Sequence, residues 1–252
     1  MSATVDEAFA LRGRVCLVSG AASGIGLATT RLFRSLGATV AAIDLDPAPE
    51  ADLSFRGDVA DASDVARLVQ QVLERFGRLD VLVNNAGIGG VGDLQETSPE
   101  LWDDVMRVNV RSVYLMCRAV VPTMIEQRSG AIVNVASAIA ETGLARRVSY
   151  AASKGAVLAF TKSLQVDCAP HGIRVNAVLP GTIDTPFVDR FLHEAYSDPE
   201  EGLRAVKARQ LLGELGRADD VAHAIAYLAS DASRFVLGTG LFVDGGLSGT
   251  RQ

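Results

Sequence analysis

Ser137, Tyr150 and Lys154 are spaced so that a hydroxyl, a phenol and an ammonium can meet around one substrate oxygen. In Tyr150-Ala151-Ala152-Ser153-Lys154 the two ends of the step lie about one helical turn apart and share a face. Such a pair can ionise a phenol. A free tyrosine titrates near ~10, and bringing it to roughly neutrality takes on the order of 4 kcal/mol. A lysine charge ~4.5 Å away, at an effective dielectric of ~20, supplies about that much. A tyrosinate held this way takes the proton from an alcohol while a hydride leaves the carbon, provided that a hydride acceptor is bound beside it. The chemistry therefore demands a nucleotide site.

The elements that would position one stand near the N-terminus. Arg14 to Val18 is a short apolar run that reads as a strand, and it ends in Ser19-Gly20-Ala21-Ala22-Ser23-Gly24-Ile25-Gly26 before the helical stretch Leu27 to Leu36. Glycines allow the tight turn and let backbone approach a pyrophosphate, whose charge is met by N–H groups at the helix N-terminus. The spacing is Gly-x-x-x-Gly-x-Gly, which differs from the standard dinucleotide fingerprint and is weak evidence alone. Thr39 to Ile43 reads as a second buried strand, and Asp44 at its end falls about 20 residues past Gly24, where a dinucleotide fold places the acid that grips a ribose 2′-hydroxyl. No Arg or Lys occupies Ser23, Leu45 or Asp46 to receive a 2′-phosphate, so the expected cofactor is NAD rather than NADP.

With Asp58-Val59, Asn84-Asn85-Ala86-Gly87, Asn109 and Pro180-Gly181-Thr182-Ile183-Asp184-Thr185 added, the series resembles the short-chain dehydrogenase/reductase family from about Gly13 to Gly246. One departure is Ser19, where the family usually has Thr; both offer a hydroxyl, and little consequence is expected. The resemblance implies that Lys154 also holds the nicotinamide ribose, that Ser137 donates to the reacting oxygen, and that Asn109 holds a water linking Lys154 to solvent. It further implies a cofactor site made of Gly20, Ser23, Gly24, Ile25, Gly26, Asp44, Asp58, Val59, Asn85, Ala86, Gly87, Tyr150, Lys154, Pro180, Gly181, Ile183 and Thr185.

The rest of the chain agrees. Strands near Val15, Val40, Leu53, Val81, Ile132, Val175 and Phe242 alternate with helices near Ala28–Leu36, Ala62–Phe76, Pro99–Arg128, Val148–Cys168 and Asp219–Leu228. That order implies an α/β, Rossmann-like, doubly wound parallel sheet of about seven strands with helices on both faces. At 252 residues and 48% hydrophobic content, one such domain accounts for the whole chain, residues 1–252. A net charge of −6 disfavours nucleic acid and anionic membrane as partners. Met1 to Ala10 lacks the pattern of a signal peptide, and Cys16, Cys117 and Cys168 read as reduced core thiols, so a cytoplasmic protein without a metal site is expected.

Residues 187–208 read as a lid over the substrate. Arg147, Arg190 and Arg209 gather near the expected pocket and would suit a carboxylate, or else serve as rim or subunit-contact charges. Glu141 would instead bind substrate hydroxyls. This segment is similar to the family branch with cytosolic-type 3-hydroxybutyrate dehydrogenases and dehydrogenases of sugars or 2-keto-3-deoxy sugar acids, which implies a secondary alcohol as substrate. Small residues at Ala151, Ala152, Gly155, Ala156 and Ala159 permit close helix approach, and the resemblance implies a homotetramer with a second contact through Leu241–Leu247. The alternatives are an NADPH-dependent carbonyl reductase and a non-catalytic NAD-binding scaffold.

Overall fold

The computed structural model describes residues 5–248; the opening residues of the Met1–Ala10 stretch lie outside them. Seven strands form one parallel sheet: β1 (Val15–Ser19), β2 (Thr39–Asp44), β3 (Leu53–Arg56), β4 (Val81–Asn84), β5 (Gly130–Val135), β6 (Ile173–Pro180) and, after a short pair β7 (Ile183–Asp184) and β8 (Gly216–Arg217), β9 (Gly240–Val243). Their order is β3-β2-β1-β4-β5-β6-β9, so the direction in which strands are added to the sheet switches between β1 and β4. β1 and β4 are buried along their whole length, as strands covered on both faces must be.

Alternation along the strands divides the core in two. Leu17, Leu82, Ile132 and Val175 face one way, onto α3 (Ala62–Phe76), α5 (Ser112–Gln127) and α6 (Val148–Cys168). Cys16, Val18, Val83 and Val133 face the other, onto α2 (Gly24–Ser35) and α9 (Ala218–Ala229), where Phe33 is wholly enclosed. Burying one such side chain contributes about 2–3 kcal/mol. The outlying helices are α1 (Val5–Phe9), α4 (Pro99–Met106), α7 (Pro186–Ala195) and α8 (Pro199–Lys207).

The stretch Pro99–Arg128 reads as one helix in the sequence but is interrupted. A π turn at Arg107–Arg111 separates α4 from α5, with buried Asn109 at its centre. Within that turn the Asn109 amide bonds Ile88 and Ser153, and such π turns are often found at functional sites. The segment predicted as a lid folds into α7 and α8, which share a small core of Val188, Leu192 and Val206 separate from the main ones. β7 pairs with β8 at the base of this excursion. No helix among the described residues is long and apolar enough to cross a membrane.

Candidate active site

Ligands of open parallel sheets collect beyond the strand C-termini where the strand order reverses, and a cleft of about 510 Å³ lies there. One end is walled by Asp44, Asp58 and Val59, and the other by Ser137, Tyr150, Lys154 and the loop from Pro180 to Thr185. Between them run Gly20, Ser23, Gly24 and Ile25 on one side and Asn85, Ala86 and Gly87 on the other.

The glycine loop carries backbone groups toward the cleft. Ser23, the N-cap of α2, makes no side-chain cap hydrogen bond, whereas Asp61 caps α3 and Ser98 caps α4 in the ordinary way. The start of α2 therefore presents N–H groups that an anion can accept from. Gly26 does not line the cleft, contrary to expectation. A Cβ there would stand 2.0 Å from the Gly20 carbonyl oxygen, so its work is to let helix and loop touch. The Ser19 hydroxyl accepts from the N–H groups of Asn85 (3.0 Å) and Ala86 (3.1 Å), which locks the two loops together and makes the Thr-to-Ser departure immaterial.

Asp44 accepts from the Ala22 N–H at 2.9 Å and the Asp46 N–H at 3.1 Å, which fixes its carboxylate at the rim. Asp58 pairs with Arg107 at 2.8 Å, a partner that sequence reasoning missed because the two residues sit on separate elements. Arg56, Asp44's register partner on β3, donates to the Leu45 carbonyl at 2.9 Å and brings a guanidinium beside that rim.

At the other end, α6 carries Tyr150 and Lys154 on one face. A buried chain of amides seats this helix on the sheet: Asn84 donates to Asn134 (2.8 Å), Asn134 to Thr161 (2.9 Å), and Thr161 to the Val157 carbonyl (2.8 Å). Ser137 hydrogen-bonds the Tyr150 phenol. Lys154, only 5% exposed, donates to the Val135 carbonyl at 2.8 Å, and its ammonium lies 5.7 Å from the Tyr150 ring centre. Burial pulls the Lys154 ammonium down to about 8. The phenol itself is pushed up by burial, and the Arg147 charge and the Ser137 hydroxyl oppose that rise. This corrects the expectation that Lys154 alone ionises Tyr150, because its ammonium is held on a carbonyl and the nearest cation over the ring is Arg147.

Asn109 does not open into the cleft. It clamps the backbone of Ile88 from both sides, accepting from its N–H (2.8 Å) and donating to its carbonyl (2.9 Å), and donates to Ser153 (3.0 Å). Its Oδ1 stands 3.1 Å from where a Gly87 Cβ would be, so a side chain there would press on Asn109, whereas Lys154 Nζ at 3.5 Å is at ordinary contact distance.

The anticipated substrate residues separate. Arg190 lines the main cleft and an adjoining cavity of about 210 Å³, which Arg147 also lines. Arg209 lines neither and donates to the Tyr196 hydroxyl at 2.8 Å. Glu141 is exposed at the end of a short turn and lines neither cavity. Phe187 and Phe191, from the lid, supply aromatic faces beside Tyr150 and Arg147, and only the three-dimensional structure shows that pairing.

Comparison with known proteins shows the family. A family model described as enoyl-(acyl carrier protein) reductase matches residues 20–248. The chain is 41% identical to a 3-oxoacyl-(acyl-carrier-protein) reductase of Thermotoga maritima, covering 94% of this chain and 98% of the relative. It is 43% identical to the 2-(R)-hydroxypropyl-CoM dehydrogenase of Xanthobacter autotrophicus, covering 92% and 97%. Among solved structures, the aldohexose dehydrogenase of Thermoplasma acidophilum superposes with a TM-score of 0.90 at 34% identity over 96% of both chains. A short-chain dehydrogenase/reductase from Burkholderia xenovorans gives 0.92 at 36% identity over 96% and 99%. With near full-length identity on this scale and the same seven-stranded sheet, the chain belongs to the short-chain dehydrogenase/reductase family of oxidoreductases, whose members bind a nicotinamide cofactor.

Proposed function

We propose that the protein is an NAD-dependent dehydrogenase of secondary alcohols that bear an anionic group, such as hydroxy acids or sugar acids. The observation that carries this reading is the meeting of Ser137, Tyr150 and Lys154 at one end of a cleft whose other end is closed by Asp44. NAD supplies the hydride acceptor. Tyr150 takes the proton of the substrate hydroxyl, Ser137 donates to the same oxygen, and Lys154 supplies a second cation beside the phenol. Asp44 favours NAD because a 2′-phosphate beside its carboxylate meets like charge. Arg147 and Arg190 anchor the substrate anion in the adjoining cavity while α7 and α8 close over it. The hydroxyalkyl substrate named for the Xanthobacter relative and the aldohexose named for the Thermoplasma one lie on either side of this class.

Tyr150→Phe tests the assignment: NADH should still bind, measured by fluorescence, while turnover falls by about 10²–10⁴-fold. Near-normal turnover would remove Tyr150 from the reaction. A second reading, an NADPH-dependent carbonyl reductase, draws on Arg56 at the rim and on the reductase named for the Thermotoga relative. Steady-state comparison of the two cofactors separates them. The β9 edge, which pairs with no further strand among the described residues, with Phe235 87% exposed nearby, supports assembly into a homotetramer, and the three buried free thiols suit a cytoplasmic setting.

A further inference from the structure

Arg147 is the least satisfied charge in the site. It is 8% exposed, and among the described residues its Nη1 has no hydrogen-bond partner. A buried guanidinium in that condition is costly unless something else holds it. Two aromatic rings do: its Cζ lies 4.5 Å from the centre of Tyr150 and 4.4 Å from that of Phe191, so the planar group is sandwiched with its edges left for other partners. The main chain makes this placement rigid. Arg147 bridges to Gly92, the Arg146 carbonyl accepts from the Gly92 N–H at 2.9 Å, and the Arg147 carbonyl accepts the first N–H bond of α6, from Ala151, at 2.8 Å.

We propose that Arg147 is the positioning residue of the acid/base, its guanidinium stacked on the Tyr150 ring so that the phenol can give up its proton in a buried site. The inference rests on the assignment of Tyr150 made above, and it adds to Arg147's role toward a substrate anion. The surroundings of the ring favour this guanidinium over the other cations. From α6, Lys154 approaches to 5.7 Å but spends its ammonium on the Val135 carbonyl. From the end of β5, Ser137 offers a neutral hydroxyl, and from α7, Phe187 packs at 5.9 Å. Arg190 and Glu194 line the cavity on the far side of Arg147, and Arg209, bonded to Tyr196, is a further cation acting on it. Lys154 also loses its charge above about pH 8, whereas the Arg147 guanidinium, although burial lowers it as well, starts from a far higher value and keeps its charge. Arg147 at the N-cap of α6 and Lys154 within it then place a permanent cation against the phenol ring and a titrating one farther from it.

The test is a spectroscopic titration of Tyr150, read as the near-ultraviolet tyrosinate difference between each protein and its own Tyr150→Phe counterpart. Circular dichroism at each pH restricts the comparison to folded protein. In Arg147→Met the Tyr150 midpoint should rise by roughly 1 to 2 pH units, and Arg147→Lys, which keeps a cation, should recover at least half of that rise. An unchanged midpoint in Arg147→Met, or equal midpoints in the Met and Lys variants, overturns the proposal. Should Arg147→Met not fold, the decision passes to Arg147→Gln, which keeps a polar side chain without the charge: a midpoint unmoved there has the same meaning. Adding butanoate to the wild type tests the anion reading separately. If butanoate leaves the wild-type midpoint unmoved, the carboxylate anchor fails, while the Met and Lys comparison still decides the stack.

Discussion

Replacing Lys154 by Met should destroy activity and yet stabilise the fold. In the native state the ammonium is 5% exposed and titrates at about 8, against 10.5 for an ordinary lysine. That gap corresponds to about 3 kcal/mol of disfavoured charge at neutral pH. Met fills the same space without the charge but leaves the Val135 carbonyl without its 2.8 Å donor, a loss of about 1–2 kcal/mol. The net gain is about 1–2 kcal/mol, which for a chain of this size raises Tm by about 2–8 °C. The sign with pH follows from the order of the two values. Because the folded value lies below the unfolded one, the penalty is complete below pH 8, shrinks as pH rises, and is gone above 10.5. Urea denaturation of both proteins at pH 7 and pH 10 measures this. A lower midpoint for Lys154→Met at pH 7, or a difference that does not shrink by pH 10, would refute the reasoning that Lys154 is a strained functional charge.

Two further substitutions probe the cofactor half of the cleft. Asp44→Ala should shift the ratio of kcat/KM for NADP over NAD upward by about 10–100-fold, since the like charge facing a 2′-phosphate is gone; an unchanged ratio would show that selectivity lies elsewhere, with Arg56 the next residue to change. Gly26→Ala brings a methyl group to 2.0 Å from the Gly20 carbonyl, so the loop must move; NADH binding measured by fluorescence should be lost together with about 1–3 kcal/mol of stability, and binding that survives intact would mean the loop's shape is not what the nucleotide needs.

Local order was legible from the chain alone because it is written in short spacings. The apolar runs at Val15, Val40, Val81, Ile132 and Val175 became adjacent parallel strands, and every anticipated cofactor residue except Gly26 came to line one cleft. Tyr150 and Lys154 needed only a helix to share a face, and the helix spans Val148–Cys168 as read. What the sequence withheld was decided by partners distant along the chain. The π turn exists where Asn109 reaches Ile88 and Ser153, the Asp58–Arg107 pair joins two elements, and Arg209 went to Tyr196 instead of the pocket. The charge over the phenol is the clearest case. Spacing pointed to Lys154, one turn from Tyr150 on α6, and not to Arg147, which precedes the helix; the choice was made when Phe191 arrived from the lid to hold one guanidinium while the Val135 carbonyl drew the ammonium aside. A helix fixes which residues share a face, but the direction in which a long charged side chain leaves that face depends on the acceptors and rings that the folded chain brings to meet it.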